Sequence, residues 1–195
     1  MSGIWGAITG RSKPKQANLD SLFLVPSAAV TLQTSMDLVA TGTGGVCYRA
    51  PDGAAYQQLQ TEVVSLIREA ADKPDVQVHR DDFGFTWLVV DRVDDDVEGL
   101  VTDLHALNTS LEEQGFSTGL LCSLVPFHDT TTAGPSRTVG LVYLYKQGTF
   151  YPFAPTGPNT RDNLLEIQVR DALKDELPME QDLQRWLALW GAPGL

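Results

Sequence analysis

Histidine and cysteine are scarce here, three of the first and two of the second in 195 residues. His79, His105 and His128 fall in separate segments, no pair has the i, i+4 spacing of a helical zinc site, and no Cys-x-x-Cys occurs. That pattern speaks against a metal centre, and no cofactor is expected. Cys47 and Cys122 each sit inside an apolar run, where a thiol reads as small core filler with a raised pKa. Two such thiols give no disulfide framework and fit a reducing, cytoplasmic setting. No apolar run approaches the roughly 20 residues that cross a bilayer, and the start lacks the apolar stretch of a secretory signal. Basic residues are few as well, 14 against 25 acids for a net charge of −11. Such a surface argues against nucleic acid, which needs cations gathered on one face. A Gly-x-Ser-x-Gly elbow is missing. The run Gly42-Thr43-Gly44-Gly45 lacks the Lys-Ser/Thr of a phosphate loop. Asp94-Asp95-Asp96 is not followed at the right spacing by the Glu of a calcium loop; it reads as a helix N-terminal cluster favoured by the macrodipole.

What is present suits one globular domain, since 43% of residues are apolar and a chain of this size buries roughly 70% of its unfolded surface. Charge is uneven along it. Residues 72–113 carry twelve acids against Lys73, Arg80 and Arg92, whereas residues 1–15 carry Arg11, Lys13 and Lys15 and no acid. Ahead of that basic triplet, Ile4, Trp5 and Ile8 lie close together. Two readings fit this start: a weak interfacial anchor, with apolar groups in the acyl boundary and cations at anionic lipid, or a terminus that is frayed or docked on its own domain. Residues 1–16 are therefore set apart as a basic N-terminal segment. Residues 17–195 form a single domain.

Periodicity supplies the elements. Residues 17–35 predict two short helical pieces, Asn18 capping the first and Pro26 opening the second. The glycines at 42–45 predict a loop ahead of a short strand, 46–49. Tyr56, Leu59, Val63, Leu66, Ile67 and Ala70 stripe a helix over 54–71 that Pro74 ends. Two extended runs, 76–80 and 83–92, predict an antiparallel hairpin around Asp81-Asp82. A helix over 96–114 follows, with Asp95 and Glu98 as a capping box and Gly115 as its C′ residue. Strands are expected over 119–127 and 138–146, and helices over 160–176 and 179–190. Connections this short exclude parallel crossovers, so the fold class is α+β, with a mainly antiparallel sheet of about five strands packed with helices. The hairpin–helix–hairpin order of residues 76–146 is similar to the type III secretion chaperone-like fold.

Two aromatic features stand out. Tyr143, Tyr145, Phe150, Tyr151 and Phe153 crowd around Pro152, either as core or as a partner-binding surface. Trp186 and Trp190 with Leu183 and Leu187 make a helical stripe, which suits docking on the domain itself or recognition of a partner.

Several long strings, among them GRSKPKQANLD (10–20), FGFTWLVVD (83–91), LLCSLVPF (120–127) and LVYLYKQGTFYPFAP (141–155), together with the ending of residues 161–195, resemble the actinobacterial PspA-associated protein family PspAB. The resemblance runs over essentially the whole chain. It implies a link to the PspA envelope-stress system and to an HtpX-type membrane zinc protease, and it carries over no catalytic residue. The expectation is a non-enzymatic accessory protein acting by protein–protein contact at the inner face of the membrane. Two other classes stay open: a small-ligand-binding enzyme whose site assembles only in the fold, drawing on His79, Asp103 and His105, and a secretion-type chaperone.

Overall fold

A computed structural model of the chain describes residues 18–49, 58, 61–62, 64–65, 75–93, 96–131 and 136–195. Leu19–Leu24 form a 3₁₀ turn that runs directly into helix α1 (Val25–Met36), whose Pro26 occupies the first turn, where its missing N–H leaves no bond unmade. Asn18 stands at the expected cap position, but its amide donates to Ser21 Oγ (3.1 Å) instead of accepting from the backbone. Strands β1 (Leu38–Ala40) and β2 (Thr43–Tyr48) follow. Gly44 and Gly45 are thus strand and not loop, whereas Gly42 (φ 74°) does turn the chain between β1 and β2. Helix α2 (Val97–Leu111) explains Gly44: a Cβ there would lie 2.9 Å from Leu100 Cδ1. On the opposite face a Cβ at Gly45 would lie 3.2 Å from the Trp87 ring. Bare backbone lets a helix and an indole approach the same strand from both sides.

Of the helix expected over 54–71, residues 58, 61, 62, 64 and 65 are helical, with Val64 buried in the core. The hairpin forms as β3 (Asp75–Arg80) and β4 (Thr86–Asp91). Helix α2 is capped by Asp96, whose carboxylate accepts from Gly99 N (2.9 Å) and also meets Arg92 (3.2 Å). A π-turn (Glu112–Phe116), with Gly115 at φ 87°, ends the helix. Strands β5 (Leu120–Asp129), β6 (Thr138–Leu144) and β7 (Thr149–Phe153) come next. A ribbon, β8 (Pro155–Gly157) and β9 (Thr160–Arg161), leads to α3 (Asn163–Leu173), capped by Asp162.

The strands pair antiparallel in the order β3-β4-β2-β5-β6-β7, with β1 on the far half of β5, giving a seven-stranded sheet beside the β8–β9 ribbon. The fold is α+β, with two more strands in its sheet than the sequence reading expected. One face carries Val46, Leu88, Val90, Leu141 and Phe150 and packs against α1, α2 and α3. Inside this layer Asn108 of α2 donates to Ser123 Oγ of β5 (2.8 Å). The other face carries Cys47, Trp87, Leu124, Val142, Tyr151 and Phe153 and is covered by the end of the chain.

That end departs from expectation. Residues 179–190 are not a helix; a single 3₁₀ turn (Leu183–Arg185) interrupts an irregular path. Trp186 is buried, while Leu183 and Leu187, placed beside it by a helical stripe, are exposed. Side-chain bonds replace helical ones: Arg161 of the ribbon donates to Trp186 O (3.0 Å), Tyr151 OH of the sheet to Leu187 O (2.9 Å), and Trp186 Nε1 to Glu180 O within the same segment (3.1 Å).

Candidate functional site

Between the second sheet face and this chain end lies a cavity of about 900 Å³. Alternation along each strand builds its floor. Trp87 (β4), Cys47 (β2), Cys122 (β5), Leu144 (β6) and Tyr151 (β7) all point to this side, and Leu187–Trp190 form the opposite wall. A bulge sharpens the arrangement. Tyr48 pairs with Leu120 and Cys47 with Cys122, so Leu121 is an extra residue on β5. Leu120 thereby stays in the helix-side core while both Leu121 and Cys122 face the cavity.

The polar groups of this wall are engaged. Asp81, in the β3–β4 turn, accepts from Phe83 N (3.0 Å), Phe85 N (2.8 Å) and Trp87 Nε1 (3.1 Å). Cys47 and Cys122 stand opposite each other, both buried and free. A hydrogen bond in which the Cys47 thiol is the donor to Cys122, joined by burial, pushes the Cys47 thiol far up, so it is protonated and a poor nucleophile at neutral pH. The Tyr151 hydroxyl is spent on Leu187 O, and burial raises its pKa well above the ordinary value. Two cations border the cavity at one turn. Arg49 donates its backbone N–H to Gly119 O (2.9 Å) and lays its guanidinium 5.1 Å from the Phe85 ring centre. Lys146 Nζ donates to Thr118 O (3.0 Å). Exposed Phe83 and Leu187 also line the opening.

Of the two readings of the aromatic segment, core or partner-binding surface, its rings take the first. Tyr143, Tyr145 and Phe150 lie in the helix-side core, while Tyr151, Phe153 and Trp186 lie beneath the chain end, all nearly inaccessible. β6 and β7 are covered on both faces, so their rings are buried. The Trp190 ring packs edge-on to Phe153 (5.0 Å) and is half-buried. Tyr151 and Trp190 are the two members of the expected set that line the cavity. Ile4, Trp5, Ile8, Arg11, Lys13 and Lys15 lie outside the described residues.

The histidines are not brought together. His79 is exposed on β3. His105, on α2, has its ring 4.8 Å from that of Phe23, and its Nε2 lies 3.6 Å from Asp20 Oδ1. His128 is near the end of β5. Asp103 is held by Arg92 through two hydrogen bonds (2.6 and 3.0 Å). Among the described residues no cluster of three or more His, Cys, Asp or Glu side chains suits a metal ion, and no histidine lines the cavity. Sequence reasoning missed Arg49, Phe83, Phe85, Trp87 and Lys146 as a group. Their only shared signal is the alternation that sends 47, 49, 85 and 87 to one face.

Fold and site together define a class: an α+β protein whose seven-stranded antiparallel sheet carries helices on one face and an apolar, cation-bordered cavity on the other. The chain belongs to the PspAB family, described as PspA associated protein B, whose model matches residues 2–194. No curated protein and no solved structure matches the chain. Among the described residues no helix is long and apolar enough to cross a membrane.

Proposed function

We propose that this protein serves the PspA-linked envelope-stress response as a non-enzymatic accessory protein, working by contact at the cytoplasmic membrane surface. Family membership over residues 2–194 carries the reading, because the family is described by its association with PspA. The cavity supports binding over chemistry. Its thiol Cys47 is held protonated, its carboxylate Asp81 is engaged by three N–H donors, and among the described residues lining it no histidine stands beside a nucleophile. Apolar Phe83 and Leu187, exposed at the opening, suit contact with a partner. An HtpX-type membrane protease is a second partner of this reading, and residues 1–16 its lipid contact; both rest on the sequence resemblance and the basic start alone.

Purified PspA passed over the immobilised full chain tests it. The chain is expected to retain PspA, and F83D/L187D to weaken retention at least tenfold. Flow-through of PspA from the unaltered chain overturns the reading. Co-sedimentation with anionic vesicles, with and without residues 1–16, tests the lipid contact; equal binding by both forms removes it.

A further inference from the structure

The geometry points to a ligand class for the cavity: a single-chain fatty carboxylate, its tail against Trp87, Leu121 and Tyr151 and its head group at Arg49 and Lys146. The inference rests on the reading that this protein works by binding. Three observations carry it. First, away from the Arg49, Thr118 and Lys146–Gln147 side of the opening, the polar groups of the walls are already engaged. The Asp81 carboxylate is taken by three N–H groups, the thiols by each other, and the Tyr151 hydroxyl by Leu187 O. A polar ligand body would lose its hydration without replacement, so the enclosed part of the occupant is apolar.

Second, the size is right. A space of about 900 Å³ lies at the upper end of small-molecule sites, roughly 300–1,000 Å³, and accommodates one long acyl chain. Third, two cations stand together at one turn, while Asp81, the one carboxylate lining the cavity among the described residues, is held in the β3–β4 turn by three N–H donors. Arg49 and Lys146 flank the Thr118–Gly119 turn, and among the described residues no carboxylate pairs with either. In a chain of net charge −11, two such cations beside one apolar opening form an exception to the surrounding field. A carboxylate accepts charge-assisted hydrogen bonds from both, and the Phe85 ring beneath Arg49 already holds one of them in place.

Displacement of Nile red from the full chain by palmitate, by hexadecanol and by shorter fatty acids tests the inference. Nile red is expected to bind, and L121W, which fills the cavity, to abolish its binding. Palmitate is expected to compete at least about tenfold better than hexadecanol, the gain of one charge-assisted hydrogen bond. Each two-carbon shortening should weaken competition about tenfold. R49Q/K146Q should erase the preference for acid over alcohol and leave Nile red binding intact. Dibromostearate should quench Trp87 and Trp190, since bromine acts only at contact. Equal competition by acid and alcohol, or a preference that survives R49Q/K146Q, overturns the head-group assignment. Nile red bound without any carboxylate effect sinks this inference alone. Palmitate bound by a chain that does not retain PspA sinks the proposed function and leaves the inference standing.

Discussion

Asp81 shows how one side chain serves both the fold and the site. Its carboxylate closes the β3–β4 turn through two backbone N–H groups and fixes the Trp87 indole through a third bond. Asp81→Asn keeps the shape, removes the charge and turns one oxygen into a donor facing donors. The expected loss is about 1–3 kcal/mol of unfolding free energy in urea, with a shift in Trp87 emission. A loss near zero would mean that the turn holds without it. The tyrosines make a pH-dependent statement. Burial pushes Tyr143 up to about 12, with Tyr145 and Asp20 adding to it, and burial with help from Glu112 does the same for Tyr145. Burial raises Tyr48 and Tyr151 as well. In the unfolded chain these phenols ionise near pH 10, so the folded state holds the proton longer. The contribution of Tyr143 and Tyr145 is complete below pH 10 and is lost as the pH rises from about 10 through 12, and that of Tyr48 and Tyr151 persists to higher pH still. Phenolate absorbance at 295 nm should therefore rise together with loss of the circular-dichroism signal. Ionisation of all four near pH 10 in a chain that stays folded would contradict the burial described here.

Gly44 argues at the scale of elements, because it sets how near α2 lies to β2. A methyl there would sit 2.9 Å from Leu100 Cδ1 and 3.2 Å from Leu104 Cδ1. Gly44→Ala is therefore expected to cost about 1–3 kcal/mol by overpacking, measured as a lowered urea midpoint, although alanine is otherwise tolerated at a strand's φ/ψ. An unchanged midpoint would show that the two leucines swing aside freely. This glycine also marks where sequence reading ran out. The apolar stripe of α2, the β3–β4 hairpin and the β5 and β6 runs were legible because period and alternation are local signals. Glycine at 44 and 45 looked like a loop because its reason lies across the fold, in Leu100 and Trp87. The stripe at 183, 186, 187 and 190 looked helical, yet the sheet takes Trp186 and supplies Arg161 and Tyr151 as donors to carbonyls that a helix would have bonded itself. Three successive aspartates hid which one caps α2; Asp96 does, one residue beyond the expected Asp95. The cavity was invisible for the same physical reason. Its lining comes from five strands, three turns and the chain end, and no single segment of them carries a motif.

At the scale of the whole molecule, a seven-stranded sheet has two faces to cover, and this chain covers them unequally. Helices pack tightly on one; on the other the end of the chain closes over part of the surface and leaves the cavity. The tail is thus at once a cover for apolar sheet and a wall of the site, and deleting residues 183–195 should separate the two roles. The helix-side core does not include those residues, so far-ultraviolet circular dichroism should persist. Losing Trp186 alone from its buried place costs about 3–5 kcal/mol by the usual large-to-small scale, so the urea midpoint should fall steeply. The uncovered face, with Trp87, Tyr151 and Phe153 open to water, should drive self-association visible by light scattering. Cys47, unreactive in the full chain at pH 8, should become accessible to iodoacetamide in the truncated one. The same geometry fixes the sign of ligand effects. A molecule held between sheet and tail binds the folded state alone, so palmitate at about 100 times its dissociation constant should add about 2.7 kcal/mol to the stability of the full chain. The truncated chain, lacking Leu187–Trp190, should gain little from the same addition. Equal stabilisation of both forms would place the ligand elsewhere and make the tail a cover only.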